Sequence, residues 1–294
     1  MPHIKIERLL VATDFSKAGQ RAVDVAAEWA RATGAQLRIV HVTPPKGWLT
    51  GAWHLKSSVA HTIQQHAGTA LKRAADLADP ARALELSTGV LSGPAARSIA
   101  RAAQEYGADL LVVGARGEHD EDGEPALGGT SAKLLDTVKT PLLLVREARK
   151  DPAGGVVAAL DLSPHSKTVL EWADFAAAER HLYACHVYDA PFAARLEAYG
   201  LSANAIDVYS EQALAQRDTE LATLIQSVAR TGVTSRAVER GEPAAAMRRY
   251  VERVRPSLVV LGKHVRGRRR SRAGGVGSVC RHVASAFSGN VLVV

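Results

Sequence analysis

Two aspartates and two glycine-bounded loops carry most of the chemistry in this chain. Asp14 closes the apolar run Arg8-Leu-Leu-Val-Ala-Thr13, and Asp161 closes the run Gly155-Val-Val-Ala-Ala-Leu160. A serine stands two positions beyond each, Ser16 and Ser163. The first loop begins at Leu110-Leu-Val-Val-Gly114, passes Gly117 and ends at Gly128-Gly129-Thr130-Ser131. The second begins at Leu258-Val-Val-Leu-Gly262, passes Gly267 and ends at Gly277-Ser278. An aspartate at a strand end can accept a hydrogen bond from a base or a ribose hydroxyl. Glycines let backbone N–H groups approach phosphates, and a following helix presents its positive end. A serine or threonine there can donate to a phosphate oxygen. The same residues also have a plainer use, since an aspartate after a strand caps the next helix and glycines make turns. Neither half contains G-x-x-x-x-G-K-[ST] or G-x-G-x-x-G, which argues against a P-loop NTPase and a dinucleotide dehydrogenase.

The elements that position these residues occur twice. Asp161 lies 147 residues after Asp14, His186-Val187 lies 145 after His41-Val42, and Gly262 lies 148 after Gly114. Landmarks in one order at nearly constant offset mark a tandem duplication. The boundary falls in the charged stretch 148–155, giving halves 1–149 and 150–294. Each half reads as five strands alternating with helices. In the first half the strands are 8–13, 36–42, 84–89, 109–113 and one opened by Pro141; long helices fall near 57–78 and 94–106. Ser16 caps a further helix, and Gly34 ends it. The second half repeats this with strands 155–160, 181–187, 234–239, 257–261 and 290–294. Its helices are 164–179, 201–230, 243–254 and 277–286. Near-continuous Val/Leu runs imply strands buried on both faces, as in a parallel sheet covered by helices. In such a sheet ligands bind beyond the carboxyl ends of the strands, where strand order reverses. If the first and fourth strands of each half are neighbours, Asp14 and Gly114 flank one crevice and Asp161 and Gly262 another.

Composition narrows the partners. The 294 residues carry a net charge of +7, much of it in Arg266, Arg268, Arg269, Arg270 and Arg272. The matching loop of the first half holds Glu118, Asp120, Glu121, Asp122 and Glu124. No apolar run is long enough to span a membrane, and the N-terminus lacks a signal-peptide core, so a cytoplasmic location is expected. Cys185 and Cys280 are expected as small buried apolar residues rather than a redox pair. His41 and His186 are expected to pack at strand ends, and Trp29, Trp48, Trp53 and Trp172 to pack rather than hold a ligand. The segment 43–56 lies beside the expected crevice, where it could serve as a lid. His119 and His264 lie at the loops, with no second histidine or cysteine at metal-ligand spacing.

On these residues the chain resembles a tandem universal stress protein. The resemblance rests on Leu9-Leu-Val-Ala-Thr-Asp14-Phe-Ser16, Gly128-Gly-Thr-Ser131, Ala159-Leu-Asp161-Leu-Ser163 and Gly277-Ser-Val279, with the strand ends His41-Val42 and His186-Val187. It implies an α/β fold of two similar doubly wound five-stranded parallel sheets with helices on both faces, adenine-nucleotide alpha hydrolase-like. It also implies a role in stress response as a regulator or sensor, with no dedicated catalytic group and at most slow ATP hydrolysis. Many members bind ATP through G-x2-G-x9-G-[ST], and others bind no nucleotide. Pairing of last strands makes family dimers, so a homodimer or an internal pseudo-dimer is implied. By resemblance the nucleotide contacts are Asp14, Val42, Gly114, Gly117, Gly128, Gly129, Thr130 and Ser131 in the first half. In the second they are Asp161, Val187, Gly262, Gly267, Gly277 and Ser278. Gly114 and Gly117 match G-x2-G, but eleven residues separate Gly117 from Gly129. Gly267 and Gly277 have the required nine between them, but Val265 takes the place of the second glycine. An arginine loop attracts a triphosphate and an acidic one repels it, which favours the second half, unless magnesium held by the carboxylates reverses the sign. Two alternatives stand beside this: a nucleotide-free interaction module of the same fold, and a pairing of the two oppositely charged loops. The arginine run lacks the interleaved aromatics of a single-strand nucleic-acid binder. Protein partners are not legible.

Overall fold

The structure is a computed structural model; it describes residues 4–44, 57–116, 126–146, 154–189, 199–200, 202–228, 233–263 and 276–294, with side chains of 57–60 and 233–234 not described. The first half runs β1 (Arg8–Ala12), α1 (Lys17–Thr33), β2 (Gln36–Thr43), α2 (Ser57–Ala78), β3 (Leu86–Ser92), α3 (Ala95–Tyr106), β4 (Leu110–Gly114), α4 (Gly129–Thr137) and β5 (Leu142–Val145). The second runs β6 (Val156–Leu160), α5 (Ser166–Ala177), β7 (Leu182–Tyr188), α6 (Ala203–Ser227), β8 (Val233–Arg240), α7 (Pro243–Val254), β9 (Leu258–Leu261), α8 (Ser278–Ala286) and β10 (Asn290–Val293).

Each half builds the expected parallel sheet, in the order β3-β2-β1-β4-β5 and its repeat β8-β7-β6-β9-β10. The two are not separate. β5 and β10 pair antiparallel, Leu143 opposite Leu292, and this makes one ten-stranded sheet. Successive side chains on a strand point to opposite faces. Leu9, Val11, Leu110 and Val112 therefore meet α1 on one face, while Leu10, Leu111 and Val113 meet α3 and α4 on the other. Both faces are fully buried along β1, β4 and β5, which is why these segments read as unbroken apolar runs. Gly34 ends α1 in the left-handed region, φ 72°, with its N–H on Ala30 O.

One strand starts later than its composition suggests. The apolar pattern predicts a strand from residue 84, but β3 begins at Leu86. The carboxylate of Asp79 accepts hydrogen bonds from Ala83 N at 3.1 Å and Leu84 N at 2.8 Å. These bonds hold that stretch as a loop. The cysteines pack as expected, both buried, and burial pushes each thiol up to about 12.

The seam is closed by cations from each half at the helix ends of the other. Arg146, just past β5, donates from Nη2 to Ala284 O at 2.6 Å and Ser285 O at 3.2 Å, at the end of α8. Lys263, just past β9, donates from Nζ to Val138 O, the C-cap of α4. A cation suits the negative end of a helix. Burial lowers both groups, Arg146 to about 10 with help from Arg116. Across the same seam the Trp29 ring of α1 meets Phe175 of α5 edge-on at 6.0 Å. Leu292 is fully buried there. Leu292→Ala should lower the unfolding free energy by about 2–5 kcal/mol in urea denaturation, and a loss below about 1 kcal/mol would show that the seam is not well packed.

Candidate functional site

Each half brings its aspartate and its loop to the same edge. Ala12 pairs with Val40 on one side and Val113 on the other, so Asp14, Val42 and Gly114 end neighbouring strands. Ala159 and Leu261 pair likewise, and Leu160 pairs with His186, so Asp161, Val187 and Gly262 meet in the second half. Strand order reverses between β1 and β4 and between β6 and β9, which makes each crevice a topological switch point. Because β5 and β10 are antiparallel, the two crevices open on opposite edges of the sheet.

The turn after each aspartate has a feature that sequence alone did not reveal. Phe15 and Leu162 both adopt left-handed backbone, φ 67° and φ 57°, at a cost of about 1–2 kcal/mol each. The turn lets each aspartate fold back on the next helix. Asp14 Oδ1 accepts from Ser16 N at 3.1 Å and Ser16 Oγ at 2.6 Å. Asp161 Oδ1 accepts from Ser163 N at 2.9 Å and Ser166 Oγ at 2.8 Å. Gly19 holds the position of Ser166, and a Cβ there would stand 2.5 Å from Asp14 Oδ1. Both halves thus set a serine hydroxyl on the carboxylate, but from different positions, Ser16 before α1 and Ser166 at the start of α5. Comparison of the halves at the aspartate offset would have pointed to Gly19 and Ser166. Ser16 also caps α1, accepting from Gly19 N. The N-cap of α5 is His165, with no side-chain cap bond.

The loops are necked by equivalent backbone bonds. Gly128 N–H donates to Ala115 O at 2.9 Å, and Gly277 N–H donates to Lys263 O at 3.1 Å. These bonds equate Gly128 with Gly277. Gly129 then corresponds to Ser278, one position later than the sequence alignment of Gly129-Thr130 with Gly277-Ser278 places it. Ser131, two positions on, turns inward and donates to Gly114 O at 2.7 Å. Thr130 and Ser278 are exposed. Neither Gly128 nor Gly277 supplies a side-chain cap, so the first N–H groups of α4 and α8 have none from that position. Gly117, Gly267, the acidic and arginine runs, Trp48 and Trp53 lie outside the described residues, as does most of the segment expected as a lid.

Gly114 and Gly262, which sequence assigns to phosphate approach, also lie where helices come close to the strand ends. A Cβ at Gly114 would meet the Ala18 backbone at 3.2 Å, and one at Gly262 would meet the His165 ring at 3.1 Å. Their small size serves the packing of α1 and α5. The anchors of the two charged loops, Arg116 and Ala126 against Lys263 and Val276, leave from opposite edges of the sheet.

The histidines hold the strand ends. His41 Nδ1 and Thr13 O lie 2.8 Å apart, and the ring stacks on Phe15 at 4.4 Å. His186 Nδ1 and Leu160 O also lie 2.8 Å apart. Beside the second crevice a cavity of about 620 Å³ lies between Leu162 and Ser163 and the α6 residues Arg217, Thr223 and Leu224. Among the described residues no group of three or more His, Cys, Asp and Glu side chains is placed to hold a metal ion.

Two doubly wound α/β halves, each with an aspartate and a necked glycine loop at its switch point, define a tandem α/β protein. The universal stress protein family matches residues 5–146 and again 155–294. The chain belongs to that family, with two such domains in tandem. A universal stress protein of Thermus aquaticus is 34% identical over 146 residues, which is 47% of this chain and 97% of that one. A functionally unknown protein of Pseudomonas aeruginosa PAO1 superposes with TM-score 0.68 at 16% identity, covering 99% of this chain and 93% of its own. A universal stress protein of Archaeoglobus fulgidus does so with TM-score 0.64 at 17% identity, covering 97% of each.

Burial holds the His186 imidazole below its ordinary value of 6.5, against the opposing bond to Leu160 O. Arg217 pushes the same way, and Asp161 and Glu220 oppose. The unfolded chain therefore takes up the proton first. The stability contributed by neutral His186 is complete above 6.5 and is lost as pH falls through the lowered folded value. Urea denaturation at about pH 7.5 and about pH 5 should show a larger loss for the wild type than for His186→Gln. Equal losses would mean that this histidine is not buried neutral.

Proposed function

We propose that this universal stress protein acts in the cytoplasm as a stress-response regulator or sensor that binds ATP or another adenine nucleotide, chiefly in its second half. The observation that carries this is the meeting of Asp161, Val187 and the start of α8 at one switch point, with the exposed Ser278 at the first helical position. In this reading Asp161 takes a ribose or base hydrogen bond, and Val187 offers strand-end backbone beside the adenine. Gly277 lets the chain close the neck of the loop. The N–H groups of the first turn of α8, together with Ser278, receive the phosphates. Gly267 belongs to the same loop, whose arginines supply positive charge. The cavity flanked by Leu162 and Arg217 adds room beside the site.

The first half supports the reading less well. It has Asp14, Val42, Gly114 and Gly117, but Gly129 stands where Ser278 stands, Ser131 is turned inward on Gly114 O, and the loop is acidic. A nucleotide there would rely on Gly128, Gly129 and Thr130, and on magnesium to offset the carboxylates. Among the described residues no side chain at either crevice is placed as a base for an attacking water, and turnover in this reading is slow.

Calorimetric titration with ATP, with and without magnesium, tests this. Asp161→Ala should weaken binding about tenfold to a hundredfold, the worth of a hydrogen bond to a charged group, and Asp14→Ala should change it little. Loss with Asp14→Ala alone would move the site to the first half. No heat and no co-purified nucleotide would leave the nucleotide-free interaction module.

A further inference from the structure

The seam between the halves holds a cavity that the nucleotide reading does not use. Its volume is about 630 Å³, within the range of about 300–1,000 Å³ usual for small-molecule sites. Both halves wall it. Val25 and Trp29 come from α1, Val251 from α7, and Val283 and Phe287 from α8 and its C-cap. None of Asp14, Gly114, Asp161, Gly262 and Ser278 lines it.

The charged residues on its wall are unequal. Arg180, Arg248 and Arg255 face two acids, Glu28 and Glu252, and His282 adds a titratable ring. Arg180 is fixed in place, donating from Nη1 to Ser257 Oγ at 2.7 Å and from Nε to Ala177 O at 3.3 Å. Glu252 lies 3.9 Å from Arg248, a loose pair with both side chains largely in solvent. Low-dielectric walls with an excess of one sign focus the field on a small ion of the other sign.

The cavity follows from a difference between the repeats. The offset that relates Asp14 to Asp161 puts Trp172 and Phe175 of α5 at the positions of Val25 and Glu28 of α1. Trp172 is 6% exposed and packs on Phe175. An indole thus fills the interior on one side of the pseudo-twofold axis, where the other side has only an isopropyl group.

We infer that this cavity binds a small organic anion with an apolar or aromatic body. The body lies against Trp29, Val283 and Phe287, and the charge lies toward Arg248 and Arg255. Because both halves form the walls, such a ligand stabilises the seam by mass action.

The probe is anilinonaphthalene sulfonate, an aromatic anion whose fluorescence rises in apolar surroundings, titrated into the full chain. A single saturable rise is expected, with a higher melting temperature at saturation. Val25→Trp, which copies Trp172, should abolish the rise. The double variant Arg248→Ala with Arg255→Ala should weaken binding at least tenfold. These two arginines are exposed and outside the core, so this variant keeps the test alive if Val25→Trp does not fold. ATP titration of the double variant should match the wild type, which separates this site from the proposed nucleotide site. An unchanged rise in folded Val25→Trp, unchanged affinity in the arginine variant, or a rise that never saturates would overturn the inference.

Discussion

The antiparallel pairing of β5 with β10 is the constraint on which the rest of the molecule depends. Two parallel sheets alone would each leave an apolar edge strand with unpaired N–H and C=O groups. Joined at Leu143 and Leu292, they become one sheet with no open edge at its centre. The pairing also fixes where everything else points. It turns the second half end for end, so the two crevices look out from opposite edges. It brings Arg146 to the end of α8 and Lys263 to the end of α4, so each half neutralises a helix end of the other. It sets α1 against α5 through Trp29 and Phe175. The two crevices therefore belong to one body whose halves are held by shared strands, helix ends and aromatic contacts.

Within that symmetric frame the halves have diverged at single positions. Both keep the left-handed residue after the aspartate, both close the carboxylate with a serine, and both neck the loop with a backbone bond. They differ in what stands around that frame. Gly19 corresponds to Ser166, Gly129 to Ser278, and Val25 to Trp172. Each exchange alters the chemistry or the space at its position. Duplication followed by such exchanges leaves two crevices of unlike composition on one sheet.

Much of the fold was legible in the sequence because a doubly buried parallel strand must be a short apolar run, and such runs recur here at constant spacing. Asp14, Asp161 and the loop glycines could be found because strand order in a doubly wound sheet brings the first and fourth strands together. The missed features came from geometry that composition does not encode. The late start of β3 depends on where the Asp79 carboxylate turns. The roles of Gly114 and Gly262 depend on how closely α1 and α5 approach the strand ends. The one-residue shift between the loops depends on a backbone bond, which leaves no mark in residue identity. The cavity at the seam required knowing that the halves share a sheet.

Hydrogen exchange of the native chain, followed by mass spectrometry, tests the shared sheet most directly. Peptides covering 142–145 and 290–293 should exchange together and slowly, at the rate of global unfolding, because each strand's amides are satisfied by the other or by an inner neighbour. Rapid exchange of either strand while the neighbouring β4 and β9 remain protected would contradict the pairing, and with it the placement of the two crevices on opposite edges.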